Sequence, residues 1–100
     1  MEKPMPLTPG KLLGYDAKRM VFVFTMMHGP RIVDCEISSA ALDDLADEKG
    51  TRPGERHAQF LRLREVIEHV TSEAFVLMGM PQDERVRIFT KHLKAAKPAF

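Results

Sequence analysis

One cysteine and four histidines carry the most reactive side chains of this 100-residue sequence, and their placement decides what chemistry it can do. A nucleophilic thiol needs a base within hydrogen-bond reach and a lowered pKa. Cys35 instead falls in phase with Val33 and Ile37, on the apolar side of a strand pattern, where it serves as a small buried side chain. A metal site needs three or four ligands at suitable spacing. His57 and His69 stand twelve residues apart on one helical pattern, so they project about 120° apart and do not share an ion. His28 and His92 form a site only if the fold brings them together with a carboxylate. Asp43 and Asp44 are adjacent, face different ways on a helix, and act as partners of its positive end. Gly10-Lys11 lacks the rest of a phosphate loop, and no Gly-rich fingerprint follows a strand. The chain therefore names no catalytic residue, no metal ligand and no cofactor.

The elements that hold these residues are legible from period and punctuation. Met20–His28 is the strongest strand signal, with Phe22, Phe24 and Met26 on one face and Val21, Val23, Thr25 and Met27 on the other. Both faces are apolar, which predicts a central strand covered on both sides. His28-Gly29-Pro30 supplies a turn, and Arg31–Ile37 alternates as a half-buried antiparallel partner. Ser38 or Ser39 caps a short helix over about 39–47. Glu48–Gly54 is a break, expected to be the most mobile internal loop. A long helix over about 55–78 is ended by Gly79 and Pro81. Arg85–Thr90 reads as another strand, extending the hairpin sheet. Lys11–Tyr15 is a short edge strand, Asp16–Arg19 a turn, and Lys91–Lys97 a short basic helical turn. The predicted fold class is α+β: a small antiparallel sheet, hairpin 20–37 plus strand 85–90, against one long and one short helix. Residues 1–10, with three prolines, form an extended arm before one domain over 11–97.

The long helix carries more apolar surface than one small sheet should need. Phe60, Leu63, Val66, Ile67, Val70, Ala74, Phe75, Leu77 and Met78 share an arc of about 180°. An unbroken helix of this length spans about 36 Å, against a diameter of about 33 Å for a compact chain of this size. It must overhang the core or bend, with Thr71-Ser72 the weak point. Phe60, Leu63, Ile67, Val70, Ala74, Leu77 and Met78 are therefore the candidate self-association face, and the expected partner is a second copy or another protein. The seven methionines fill core gaps or, at Met78 and Met80, make an adaptable apolar patch at the helix end.

Charge is balanced in total but not in distribution. A net charge of +1 argues against a dominant nonspecific nucleic-acid binder. Residues 34–50 hold six acids and one base, whereas 85–100 hold five bases and no acid. Arg85, Arg87, Lys91, Lys94 and Lys97 are the candidate anion-facing residues, and a nucleic-acid-linked regulator is the alternative reading they support. A single thiol and the lack of an apolar export segment suit a cytoplasmic protein. No apolar run reaches the ~20 residues of a membrane helix.

The order of these segments resembles a known family. Tyr15-Asp16-Ala17, then Val21-Phe22-Val23-Phe24, then Val33-Asp34-Cys35-Glu36-Ile37-Ser38 is similar to the strand pair of a family of short bacterial conserved hypothetical proteins, a domain of unknown function. The likeness runs on through Phe60-Leu-Arg-Leu-Arg-Glu-Val-Ile-Glu and Arg85–Thr90 to Leu93, about residues 12–93 in all. It implies a bacterial cytosolic α+β protein, with no established activity, cofactor or catalytic residues to carry over. The reading that results is a non-enzymatic, self-associating interaction or accessory protein, expected as a homodimer. A nucleic-acid-linked regulator and a small thiol-dependent enzyme using Cys35 or His28 are its rivals.

Overall fold

The computed structural model describes residues 7–79 and 81–93. β-Branched and aromatic residues build the sheet first. Strands β1 (Thr8–Asp16), β2 (Val21–His28) and β3 (Arg31–Ser38) are antiparallel neighbours, and β4 (Arg85–Ile88) joins the far edge. Phe22 lies opposite Ile37, Phe24 opposite Cys35 and Met26 opposite Val33. Tyr15 and Leu12 extend these rows on one side, Ile88 and Val86 on the other. That register places every large apolar residue of β2's even-numbered face in one layer, and all three are essentially inaccessible to water. The hairpin turns on Gly29 and Pro30, with Gly29 at φ 62°. Proline forbids positive φ at the second position, so the first must supply it.

The helices close over that layer. Ser38 Oγ accepts from Ala41 N–H and caps α1 (Ser39–Ala46), as its position predicts. A short 3₁₀ turn, Pro53–Glu55, then leads into α2 (Arg56–Met78). Phe60 stacks on Phe22 with ring centroids 4.4 Å apart and tilts against Phe24 at 5.0 Å. Ile67, Val70 and Ala74 continue the buried stripe. After β4, the single turn α3 (Thr90–Leu93) buries Leu93 against the same core.

Several expectations hold and others are corrected. The α+β class stands, with the long helix, the short helix and the last strand in place. The sheet is mixed and not wholly antiparallel, because β4 runs parallel to β3. Two helices intervene between these strands, so the chain returns to the same end of the sheet before adding its last strand. β1 is longer than expected and takes in Thr8, Pro9 and Gly10 from the segment read as an arm. Gly10 sits where β1 bulges, and a Cβ there would stand 2.4 Å from Thr25 O. Residues 1–6 lie outside the described residues, as do Met80 and the Lys94–Lys97 part of the basic turn.

The strand expected to be covered on both sides is covered by helices on one. Val23, Thr25 and Met27 remain partly exposed, screened only by neighbours on the same open face. The helix neither stops nor breaks at Thr71-Ser72. Thr71 Oγ1 donates to Ile67 O, and Ser72 Oγ accepts from Leu7 N–H. The Glu48–Gly54 segment is pinned and not free: Thr51 Oγ1 donates to Asp43, while Gln59 and Arg62 both reach Glu48.

Candidate interaction surface

α2 outruns the core it covers. Burial continues to Ala74, after which Val76, Leu77 (72 % exposed) and Met78 (59 % exposed) face solvent. Gly79 N–H bonds to Phe75 O and ends the helix, so this apolar last turn is ordered up to its cap. Beside it lies a hollow of about 180 Å³, lined by Val70, Glu73, Ala74, Leu77, Met78, Lys91 and His92. Its floor is apolar, and Glu73 and Lys91 place one acid and one base in its wall. α3 supplies the second wall. His92 Nδ1 accepts from Phe89 N–H at 2.8 Å and the two rings stack, which fixes the turn.

The structure thus divides the predicted self-association face. Phe60, Ile67, Val70 and Ala74 are spent within the chain's own core, and Leu63 is partly covered. Leu77 and Met78 are open. The arc is wide because three rows of sheet side chains, together with α1 and α3, absorb its central part.

The predicted anion-facing residues are divided as well. Arg85 and Arg87 lie in register with Asp34 and Glu36 on the open face of the sheet. Glu36 is only 3 % exposed there, beneath Arg19 (2.6 Å), Arg87 (3.2 Å) and Arg85 (3.5 Å). Arg87 also bonds Asp83, which holds that carboxyl below its ordinary range. Lys91 lines the hollow on the helix side. Lys94 and Lys97 lie outside the described residues.

A third polar cluster was not foreseen. Arg56 and Gln59 are buried at the start of α2, with Arg56 Nη1 2.6 Å from Asp43 Oδ1. Gln59 Nε2 and Thr51 Oγ1 donate to the same carboxylate, and the Arg56 guanidinium lies 5.4 Å from the Tyr15 ring centroid. Asp43 lies beyond the first turn of α1, which holds no acid, so it is not the dipole partner expected of it; it is the anchor tying α1, the following loop and α2 together. A signal existed: Arg56 and Gln59 precede Phe60, Leu63 and Ile67 at helical core spacing, so charge on that stripe required a buried partner.

Cys35 behaves as packing. Its side chain is fully buried, the Sγ donates to Val33 O at 3.5 Å, and burial pushes the thiol up to about 12. Alkylation at neutral pH should therefore be negligible in the native state and rapid in urea, read by mass spectrometry. Fast native labelling would overturn this account. His28 packs on the Phe75 ring, and His57 on Phe22. Among the described residues, no group of three or more His, Cys, Asp or Glu is placed to hold a metal ion. No helix there is long and apolar enough to cross a membrane.

Comparison with known proteins agrees with this architecture. A family model for a protein of unknown function, DUF1488, matches residues 9–88. The chain belongs to the DUF1488 family. The likeness read from its segment order to a family of unknown function is thereby borne out. A crystal structure of a DUF1488 protein of unknown function from Shewanella loihica PV-4 superposes with a TM-score of 0.69. It covers 88 % of this chain and 94 % of that one at 20 % identity, so the likeness is one of fold. No curated protein is significantly similar in sequence.

Proposed function

We propose that this DUF1488 protein is a non-enzymatic interaction protein that self-associates as a dimer through the C-terminal end of α2. One observation carries the reading: Leu77 and Met78, exposed within one chain, form the apolar rim of a hollow that they line together with Val70 and Ala74. A two-fold axis there packs the rim of each copy against the hollow of the other, as an isologous interface requires. Glu73 and Lys91 both line the hollow, so its wall offers one charge of each sign to a second copy of the same surface. Strand addition is the poorer route, since β1 is bulged and β4 is only four residues long.

Four large side chains buried at about 1.5–3 kcal/mol each supply about 6–12 kcal/mol against an association cost of about 4–15 kcal/mol, so the dimer is weak, micromolar at its tightest. Sedimentation velocity from about 10 to about 500 µM should show a concentration-dependent dimer. Leu77→Lys should weaken it about 100-fold and leave the melting temperature nearly unchanged, because Leu77 is solvent-exposed within one chain. A wild-type protein that stays monomeric at the highest concentration overturns the proposal.

The rival readings draw less support from the geometry. A phosphate-binding strip needs Arg85, Arg87 and Lys91 side by side, whereas the first two bend over Glu36 and the third lies across the molecule. A thiol enzyme needs an accessible, acidic thiol where Cys35 is buried and weakly acidic. A lone unpaired cysteine fits a reducing, cytoplasmic setting.

A further inference from the structure

We infer that His92 is a pH-sensitive latch on this dimer surface, holding the hollow open to a second copy when neutral and spoiling it when protonated. The inference rests on the self-association reading above and concerns its regulation. Its basis is a hydrogen bond that only one protonation state allows. The Phe89 N–H donates to His92 Nδ1 at 2.8 Å, so that nitrogen must carry a lone pair and no proton. The same ring stacks on Phe89 and lines the hollow with Lys91. Protonation places a donor against a donor. The bond that closes α3 onto the end of β4 is then lost, and the wall of the hollow gains a charge.

α3 is a single turn, so this one bond is a large share of what orders it. Its other anchors are Leu93 in the core and His92 N–H bonded to Phe89 O. Burial, and then the adjacent Lys91 charge, hold the imidazole below its ordinary value against an opposing backbone contact with Phe89. Acids on the two helices packed against α3 favour the charged ring instead, and they are engaged or exposed. From α2, Glu73 shares the hollow's wall, but it is exposed and set against His69. From α1, which also packs on α3, come Asp43, held by Arg56, and Asp44. The hollow is therefore intact at pH 7 and above, and the latch releases only as pH falls below the ordinary histidine range.

Sedimentation velocity at pH 7.5 and 5.5, beside His92→Asn, tests this. Asparagine keeps an acceptor near the Nδ1 position and cannot titrate. Wild-type dimerisation should weaken about tenfold at the lower pH, and His92→Asn should flatten that dependence. An equal pH dependence in wild type and His92→Asn overturns the latch and leaves the dimer standing. Monomer at every pH overturns the dimer itself. In that event the Phe89 amide, followed by NMR in the monomeric Leu77→Lys protein, still judges the latch. The resonance must move with the His92 titration, and a Phe89 amide indifferent to it rejects the latch.

Discussion

Replacing Asp43 by alanine should destabilise the protein by about 3–5 kcal/mol, a large part of the ~5–15 kcal/mol that holds a domain of this size folded. The reason is what remains. Arg56 is nearly inaccessible, its guanidinium packed over Tyr15, and without Asp43 it keeps a buried charge and one neutral partner, Gln59. Its Nε already lacks a hydrogen bond, so the site has no spare acceptors to recruit. Pairing Asp43→Ala with Arg56→Met removes the charge together with its partner and should recover at least half the loss in urea denaturation. A single variant costing under about 1 kcal/mol would show that water or a rearranged loop satisfies Arg56.

The same pair fixes an acid limb. Burial opposes the Asp43 charge, but hydrogen bonds from Arg56, Thr51 and Gln59 outweigh it and lower the carboxyl from 3.8 to about 2. A group depressed in the folded state stabilises above its unfolded value and loses that contribution as pH falls. The wild type should thus lose about 2 kcal/mol between pH 4 and pH 2 that the double variant does not. Parallel acid melts of the two proteins would refute the assignment.

Removing the Glu36 carboxylate is the second large effect. Glu36→Ala should cost about 2 kcal/mol, less than Asp43, because the three arginines around it are more than a third exposed and can turn to water. Their mutual repulsion remains near the β3–β4 seam, so added salt should restore part of the loss. Hydrogen exchange should localise the weakening to β4, which four residues and this cluster attach to the sheet. A uniform loss of protection with no salt response would mean that Glu36 acts through packing and not charge.

These two carboxylates show where sequence reading succeeded and stopped. Strand β2, its turn, the Ser38 cap and the extent of α2 follow from patterns within a few residues, and all were legible. Helical and strand periods also sorted Phe22, Phe24 and Phe60 to the core and marked Cys35 as packing. Asp43 and Glu36 were visible only as members of an acidic stretch. Their partners lie 13, 17 and about 50 residues away, and no local pattern encodes which of many surface charges meets which. The candidate surface was half legible for the same reason. The helical period found the apolar arc but not how much of it the chain would use itself.

The sequence by itself determined the elements, because hydrophobic period, caps and turn residues act over short range. The tertiary structure decided the rest. It set β4 parallel at the β3 edge, gathered Arg85 and Arg87 over Glu36 while α2 took Asp43 and Glu48, and buried the centre of the apolar arc, leaving Val66 and the last turn open. Each depends on which distant segments pack together, and close packing fixes that only when the whole core is assembled. Leu77 and Met78 are what that assembly leaves over.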